Sequence, residues 1–321
     1  MTDSMTHQAR VRTLRYEADG VISLELLPAP GSPAFEPFTP GAHIDVQLPN
    51  GLVRSYSLLN SPQEPQRYVI AVLLERQSRG GSRYIHEQLR VGYVLPISPP
   101  RNHFALRAGA SRHVLLAGGI GVTPLLCMLR TLAAQNAEVD FFYCARSRAQ
   151  AAFVAEIEAM AGERVRVHTH FDDVAGGPPN LAALLSGFDA DTHFYACGPA
   201  PMLDGFVATC EQQGKPHAFI ERFSAVEAPT EANGSYTVTL QRSGRTVSVQ
   251  AGQSLLDALL DQGIGASFSC REGLCGACET RVISGQVAHH DSILTKAERE
   301  ANRSMMVCVS HAAGEGLVLD L

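Results

Sequence analysis

The sequence predicts a multidomain chain: an antiparallel β-barrel, then an α/β domain built on a parallel sheet, then a small third domain held by metal. Three observations predict it. Short strand-like runs broken by turns fill the first hundred residues, apolar runs alternate with helical patterns after Gly109, and four of eight cysteines crowd between Cys270 and Cys308. At 321 residues and 45% hydrophobic, the chain holds more apolar material than one core uses.

In the first region Val21 to Leu26, His43 to Leu48, Val53 to Leu59, Tyr68 to Leu74 and Val94 to Ile97 read as strands, with one helix at Gly81 to Leu89. Pieces such as Pro28 to Pro40 and Pro49-Asn50-Gly51 separate them, and strands at this spacing favour a barrel. In the second, Val114 to Ala117, Val139 to Cys144, Val165 to Thr169 and Thr192 to Ala196 are compact apolar runs. Helical patterns at Pro124 to Ala134, Ala149 to Ala159, Leu181 to Leu185 and Pro201 to Gln212 lie between and after them. That alternation implies a parallel sheet covered on both faces. Residues 227–235, Glu-Ala-Pro-Thr-Glu-Ala-Asn-Gly-Ser, lack apolar periodicity and read as a linker. Beyond it, Tyr236 to Leu240 and Thr246 to Val249 form a hairpin across Arg242-Ser243-Gly244, followed by a helix at Ser254 to Asp261. The expected domains are therefore 1–108, 109–226 and 236–321.

Net charge is −6, from 32 acidic and 26 basic side chains, with no basic tract, so nucleic acid is not an expected partner. No run of about 18 apolar residues is present to span a bilayer, and Arg10, Arg12, Arg15 and Glu17 interrupt any signal-peptide core. A cytoplasmic monomer without membrane contact is expected.

The clustered cysteines follow Cys270-x4-Cys275-x2-Cys278 and then Cys308. Three thiolates on one loop and a fourth from a distant segment suit two irons with two ligands each. Zinc also takes four thiolates, but its ribbons use two C-x2-C pairs and only one exists here. Gly273 and Gly276 relieve crowding and let backbone N–H groups approach the sulfurs. With its Cys-Arg start, the region from Tyr236 to Leu321 resembles the plant-type ferredoxins, which implies a β-grasp fold and a [2Fe–2S] cluster carrying one electron at a time. The cluster-loop residues Arg271, Glu272 and Leu274 are the expected electron exit.

After the run Val114 to Ala117 comes Gly118-Gly119-Ile120-Gly121-Val122-Thr123-Pro124, a turn whose glycines allow close approach of backbone to phosphate before a helix begins. Cys197-Gly198-Pro199 makes a second sharp turn at the same edge of the sheet. Together they resemble the nicotinamide domain of the ferredoxin–NADP⁺ reductase superfamily. The resemblance implies that Gly118, Gly119, Gly121 and Thr123 face cofactor phosphates and ribose, and that Cys197 and Gly198 stand beside the nicotinamide. Arg146, after the strand ending at Cys144, is placed to meet a 2′-phosphate if one is present, yet the oxygenase-reductase branch often has Arg here and uses NADH. The reading leans to NADH.

Arg54-Ser55-Tyr56-Ser57 lies on an expected strand, so Arg54 and Tyr56 share a face, the one able to clamp phosphate and the other to pack on a flavin. Arg79-Gly80-Gly81-Ser82 precedes the single helix of this region. R-x-Y-S with G-G-S resembles the FMN-binding reductases of phthalate dioxygenase and vanillate demethylase type. This implies flavin contacts from Arg54, Tyr56, Ser57, Gly81 and Ser82, with Phe223 of Glu221-Arg222-Phe223 against the isoalloxazine and Phe219 as its competitor.

The order flavin, nicotinamide, ferredoxin resembles the class IA reductases of Rieske-type aromatic oxygenases. It implies an NADH-dependent oxidoreductase in which FMN converts hydride to single electrons for the cluster, which passes them to a separate terminal oxygenase. A di-iron hydroxylase or a cytochrome is the alternative acceptor. An iron–sulfur sensing module without turnover is the reading from another class.

Overall fold

The computed structural model describes residues 5–76, 78–224, 234–314 and 316–321. Two compact units divide it, Met5–Phe223 and Ser224–Leu321. Residues 227–233 of the expected linker lie outside the described residues.

The first unit begins with β1 (His7–Ala18), β2 (Val21–Pro28), β3 (His43–Gln47), β4 (Val53–Ser57), β5 (Tyr68–Leu73), α1 (Gly81–Glu87) and β6 (Val94–Ile97). The six strands form one antiparallel sheet in the order β4-β3-β6-β1-β2-β5. Its ends approach each other just past β4, where the Leu59 N–H donates to the Val69 carbonyl at 2.9 Å, so the sheet curls into the expected barrel. Val46, Ile70, Leu95 and Ile97 are wholly buried inside it.

The same unit continues with β7 (His113–Gly118), α2 (Val122–Ala134), β8 (Val139–Ala145), α3 (Val154–Ala159), β9 (Val165–Phe171), α4 (Asp172–Ala175), α5 (Leu181–Leu185), β10 (His193–Cys197), α6 (Ala200–Gln212) and β11 (Ala218–Glu221). The sheet order is β11-β10-β7-β8-β9, parallel throughout. Alternate residues of β7 serve different cores. Leu115 and Ala117 pack with α2 residues such as Leu125 and Leu129, while Val114 and Leu116 pack with Leu203 and Phe206 of α6. Barrel residues Val21, Leu59, Ala71 and Phe104 join the first of these clusters, so the two sheets share a core.

The helix expected from Ala149 to Ala159 is corrected. A 3₁₀ turn covers Arg148–Gln150, Phe153 takes φ 62°, and only Val154–Ala159 is α-helical. The break lets Ala151 and Ala152 tuck inward at 3% and 2% exposure, with the Ala152 carbonyl accepting the buried Tyr143 hydroxyl at 3.0 Å.

The second unit holds β12 (Tyr236–Leu240), β13 (Thr246–Val249), α7 (Leu255–Asp261), β14 (Glu279–Ser284), β15 (Val287–Ala288), α8 (Lys296–Ala301), β16 (Ser304–Met306), β17 (His311–Ala312) and β18 (Gly316–Leu319). A mixed sheet in the order β13-β12-β18-β14-β16 wraps α7, with β12 parallel to β18 and the remaining neighbours antiparallel. Ser254 caps α7 through Asp257 N–H, and Leu255, Leu256, Ala258 and Leu259 fill the core with Val238, Leu240 and Val249. A sheet grasping one helix is the β-grasp arrangement expected of this segment.

Candidate functional site

In the second unit, the loop from Cys270 to Cys278 alternates ligand positions with left-handed backbone. Arg271, Gly273 and Gly276 have φ of 58°, 67° and 69°. A Cβ on Gly273 would meet Val309 Cγ2 at 2.7 Å and Asp291 Cα at 3.0 Å, so that residue must be glycine. The turns aim N–H groups at sulfur. Glu272 and Leu274 donate to Cys270 Sγ at 3.3 and 3.4 Å, and Cys270 N donates to Cys275 Sγ at 3.5 Å. The side-chain hydrogen bond with Cys275 and these backbone donors hold the Cys270 thiol down at about 6. Cys308, carried in from the turn after β16, lies with its Sγ 3.1 Å from Cys278 Sγ, and that hydrogen bond lowers its pKa.

The thiols thus stand as two pairs, Cys270 with Cys275 and Cys278 with Cys308. Among the described residues no three His, Cys, Asp or Glu converge on a single-ion site. Two pairs of thiols are a donor set that would hold two irons, two ligands to each. Cys275, Cys278 and Cys308 are buried, while Cys270 is partly exposed.

In the first unit, β4 delivers Arg54, Tyr56 and Ser57 together. Arg54 lies along the Gly80-Gly81 turn: a Cβ on Gly81 would fall 2.8 Å from its Nε and 2.9 Å from its Cγ. Two of its N–H donors are used, on Val53 O at 2.8 Å and on Arg79 O at 3.4 Å. Ser82 Oγ is tied to Ser78 Oγ at 3.0 Å and to Glu75 N–H at 3.2 Å. Tyr56 packs on the barrel core, and burial pushes its hydroxyl pKa up.

At the sheet edge the two turns read from the sequence lock into each other. A Cβ on Gly121 would lie 2.2 Å from the Cys197 carbonyl oxygen, and one on Gly198 would lie 2.9 Å from Gly118 Cα. The glycines are needed for this backbone crossing as well as for any approach of phosphate. Gly119 takes φ 53°, and the Thr123 hydroxyl turns back to donate to Ile120 O at 3.1 Å. Cys197 ends β10 fully buried beneath its turn, with its thiol pushed up by burial and by Glu221. Arg146 is exposed after β8, whereas its neighbour Arg148 is engaged by Glu158 at 2.8 and 2.6 Å.

Glu221 has a place that the sequence reading did not give it. It ends β11 opposite Cys197 in the ladder, and its Oε2 lies 3.5 Å from the Ser57 hydroxyl of the barrel. Burial raises its pKa to about 8, opposed by the bond from Ser57. Ser57, Cys197 and Glu221 therefore bring β4 and the Cys197-Gly198-Pro199 turn to one point. Two residues on, Phe223 is 43% exposed and open to a ring, while Phe219 is stacked on Tyr195 at 5.1 Å.

Residues 238–313 match the 2Fe-2S iron-sulfur cluster binding domain, and residues 93–220 match the dimethylamine monooxygenase subunit DmmA-like N-terminal domain. The chain is 44% identical over 312 residues to the phenoxybenzoate dioxygenase subunit beta of Ectopseudomonas oleovorans, covering 97% of this chain and 96% of that protein. Its structure resembles phthalate dioxygenase reductase, described as a modular structure for electron transfer from pyridine nucleotides to [2Fe–2S]. The TM-score is 0.67 at 33% identity, covering 98% of this chain and 97% of that one. It also resembles an intact type IV self-sufficient cytochrome P450 monooxygenase, with a TM-score of 0.90 and 37% identity over 98% of this chain. The present chain spans 41% of that cytochrome P450.

Proposed function

The chain belongs to the phthalate dioxygenase reductase family of oxidoreductases, and from that premise we propose that it moves electrons from NADH through FMN and its [2Fe–2S] cluster to a separate Rieske-type terminal oxygenase. The observation that carries the reading is the pairing of Cys270 with Cys275 and Cys278 with Cys308, on the same chain as an R-x-Y-S strand whose Ser57 meets Glu221, the β11 residue opposite Cys197 of the nicotinamide-type turn. Bound FMN takes two electrons from a hydride donor and releases them one at a time.

The chain's own residues hold and orient. Arg54 offers unused N–H groups to the flavin phosphate, with Gly81 and Ser82 forming the adjoining turn, and Tyr56 and Phe223 supply ring surfaces. Gly118, Gly119, Gly121, Thr123 and Gly198 shape the edge on which the dinucleotide lies, and Arg146 is left for its ribose. Glu221, its carboxyl pushed up to about 8 by burial, accepts the Ser57 hydroxyl beside Cys197. The N–H groups of Glu272 and Leu274 stabilise charge on Cys270, whose exposed edge is the proposed exit. Among the described residues no helix is long and apolar enough to cross a membrane. We place the protein in the cytoplasm as a monomer.

Anaerobic addition of NADH to the purified protein, followed by visible absorption, tests this. Flavin and cluster should bleach in sequence at substoichiometric donor; absence of flavin reduction by either nicotinamide would overturn the reading. The match to a self-sufficient cytochrome P450 favours one second acceptor, a haem protein. Parallel reduction assays with a Rieske oxygenase and a cytochrome P450 separate the two.

A further inference from the structure

Helix α2 begins at the nucleotide turn and ends against the barrel, and two of its side chains hydrogen-bond to one short barrel segment. The Cys127 thiol, wholly buried, donates to the Asn60 carbonyl at 3.2 Å. One turn later the Arg130 guanidinium donates to the Leu59 carbonyl and is itself gripped by Glu156 of α3, with Nε at 3.0 Å.

The segment is equally fixed on its other side. Leu59 N–H donates to Val69 O at 2.9 Å, the Asn60 side-chain oxygen accepts Val69 N–H at 2.9 Å, and its amide nitrogen donates to Arg67 O at 3.1 Å. Leu59 is 3% exposed and packs into the core of the nucleotide domain. It lies three residues past Tyr56, just beyond the end of β4, the strand that carries Arg54, Tyr56 and Ser57. Arg130 lies seven residues past Thr123 on the helix that the glycine turn opens, a rise of about 10 Å.

We infer that Arg130, seconded by Cys127, is a positioning latch that sets the nucleotide turn in register with the flavin strand. The inference rests on the proposed function and adds a residue to it. A charged donor on a backbone carbonyl is stiffer and stronger than a neutral one. Ser57 and Glu221 meet at 3.5 Å, a weak contact, so alignment at the reaction centre needs support from elsewhere. Hydride transfer is steep in alignment, where a displacement of about 1 Å costs up to about 100-fold. Arg130 touches neither cofactor site and acts only through Leu59 and α2.

The test uses the full-length holoprotein with Arg130→Met, Arg130→Lys and Glu156→Gln. Rapid mixing gives the limiting rate of flavin reduction per bound flavin and the half-saturating NADH concentration. Adding NAD⁺ to reduced protein gives the charge-transfer absorbance that reports ring stacking, and hydrogen exchange follows residues 54–60 and 118–124. Arg130→Met should lower the limiting rate about tenfold or more, leave half-saturation within about twofold, weaken the charge-transfer band and speed exchange in both segments. Arg130→Lys should recover part of each, and Glu156→Gln should fall between. A lowered unfolding temperature with unchanged limiting rate, band and exchange would overturn the latch. If Arg130→Met does not fold, the same unchanged readings in Glu156→Gln overturn it. Wild-type protein that NADH cannot reduce would defeat the functional reading instead, and the exchange comparison would still decide the latch.

Discussion

Glu221 shows how a single carboxyl acquires a role from three strands. β11 carries it to the ladder position opposite Cys197, and β4 brings Ser57 to its oxygen. Burial raises its pKa to about 8, so the folded protein holds a proton there that the unfolded chain has released above the ordinary carboxylate range. Stability from this group is therefore present at low pH and is lost as pH rises toward and through about 8. Glu221→Gln keeps a neutral side chain of the same size and should flatten that fall. Urea midpoints at pH 5, 6, 7 and 8 for variant and wild type check it, and identical pH dependence in the two would refute it. No local pattern could have revealed this residue's part, because Ser57 and Glu221 are 164 positions apart. The Cys270-x4-Cys275-x2-Cys278 loop and the Arg54-Ser55-Tyr56-Ser57 strand could be picked out as patterns because each is written in a short spacing.

At the scale of elements, the parallel sheet has two unlike edges. One bears the glycine turns; the other begins with His113 on β7, His193 on β10 and His217 just before β11. The His193 ring lies 4.7 Å from His217 and 6.1 Å from His113, and the buried Nδ1 atoms of His113 and His193 have no partner among the described residues. Arg112 nearby is paired with Asp140 at 3.2 Å, and exposed Arg107 lies over Phe219, so no carboxylate in these contacts turns to the imidazoles. Burial first, then the neighbouring imidazole, holds both histidines below their usual pKa. Below pH about 6.5 the unfolded chain takes protons that the fold refuses, and stability falls as pH falls. His193→Gln should lose less stability than wild type between pH 7 and 5 in thermal unfolding; an equal loss would count against the edge as an acid-sensitive element. Elements themselves were read unevenly. β1 escaped because its register shifts at Val11/Thr13 and Tyr16/Ala18, which breaks the period-two pattern and leaves Arg12 and Arg15 outward. β14, β16 and β18 are six, three and four residues long, too short to stand out without their partners.

At the scale of the molecule, the sequence order of three expected domains becomes two compact units, because α2 and the barrel share a core. On the proposed function, the chemistry would divide along the same line: the residues assigned to hydride acceptance all lie in Met5–Phe223, and the four thiols assigned to the cluster all lie in Ser224–Leu321. Cys275 is 1% exposed and belongs to the first thiol pair, so Cys275→Ser replaces a soft ligand without adding volume. The substitution should abolish the cluster's absorption and cytochrome c reduction, yet leave the rate of flavin reduction by NADH within about twofold, since it leaves every residue proposed for the flavin and the nicotinamide unchanged. Metal loss can unfold a small module, so hydrogen exchange over 236–321 must accompany the assay. Exchange rising there alone, with residues 54–60 and 118–124 unchanged, fits independent units. Loss of flavin reduction together with the cluster, in protein whose first unit remains folded, would mean that the cluster unit is required upstream of the flavin, and the order of transfer would have to be reversed.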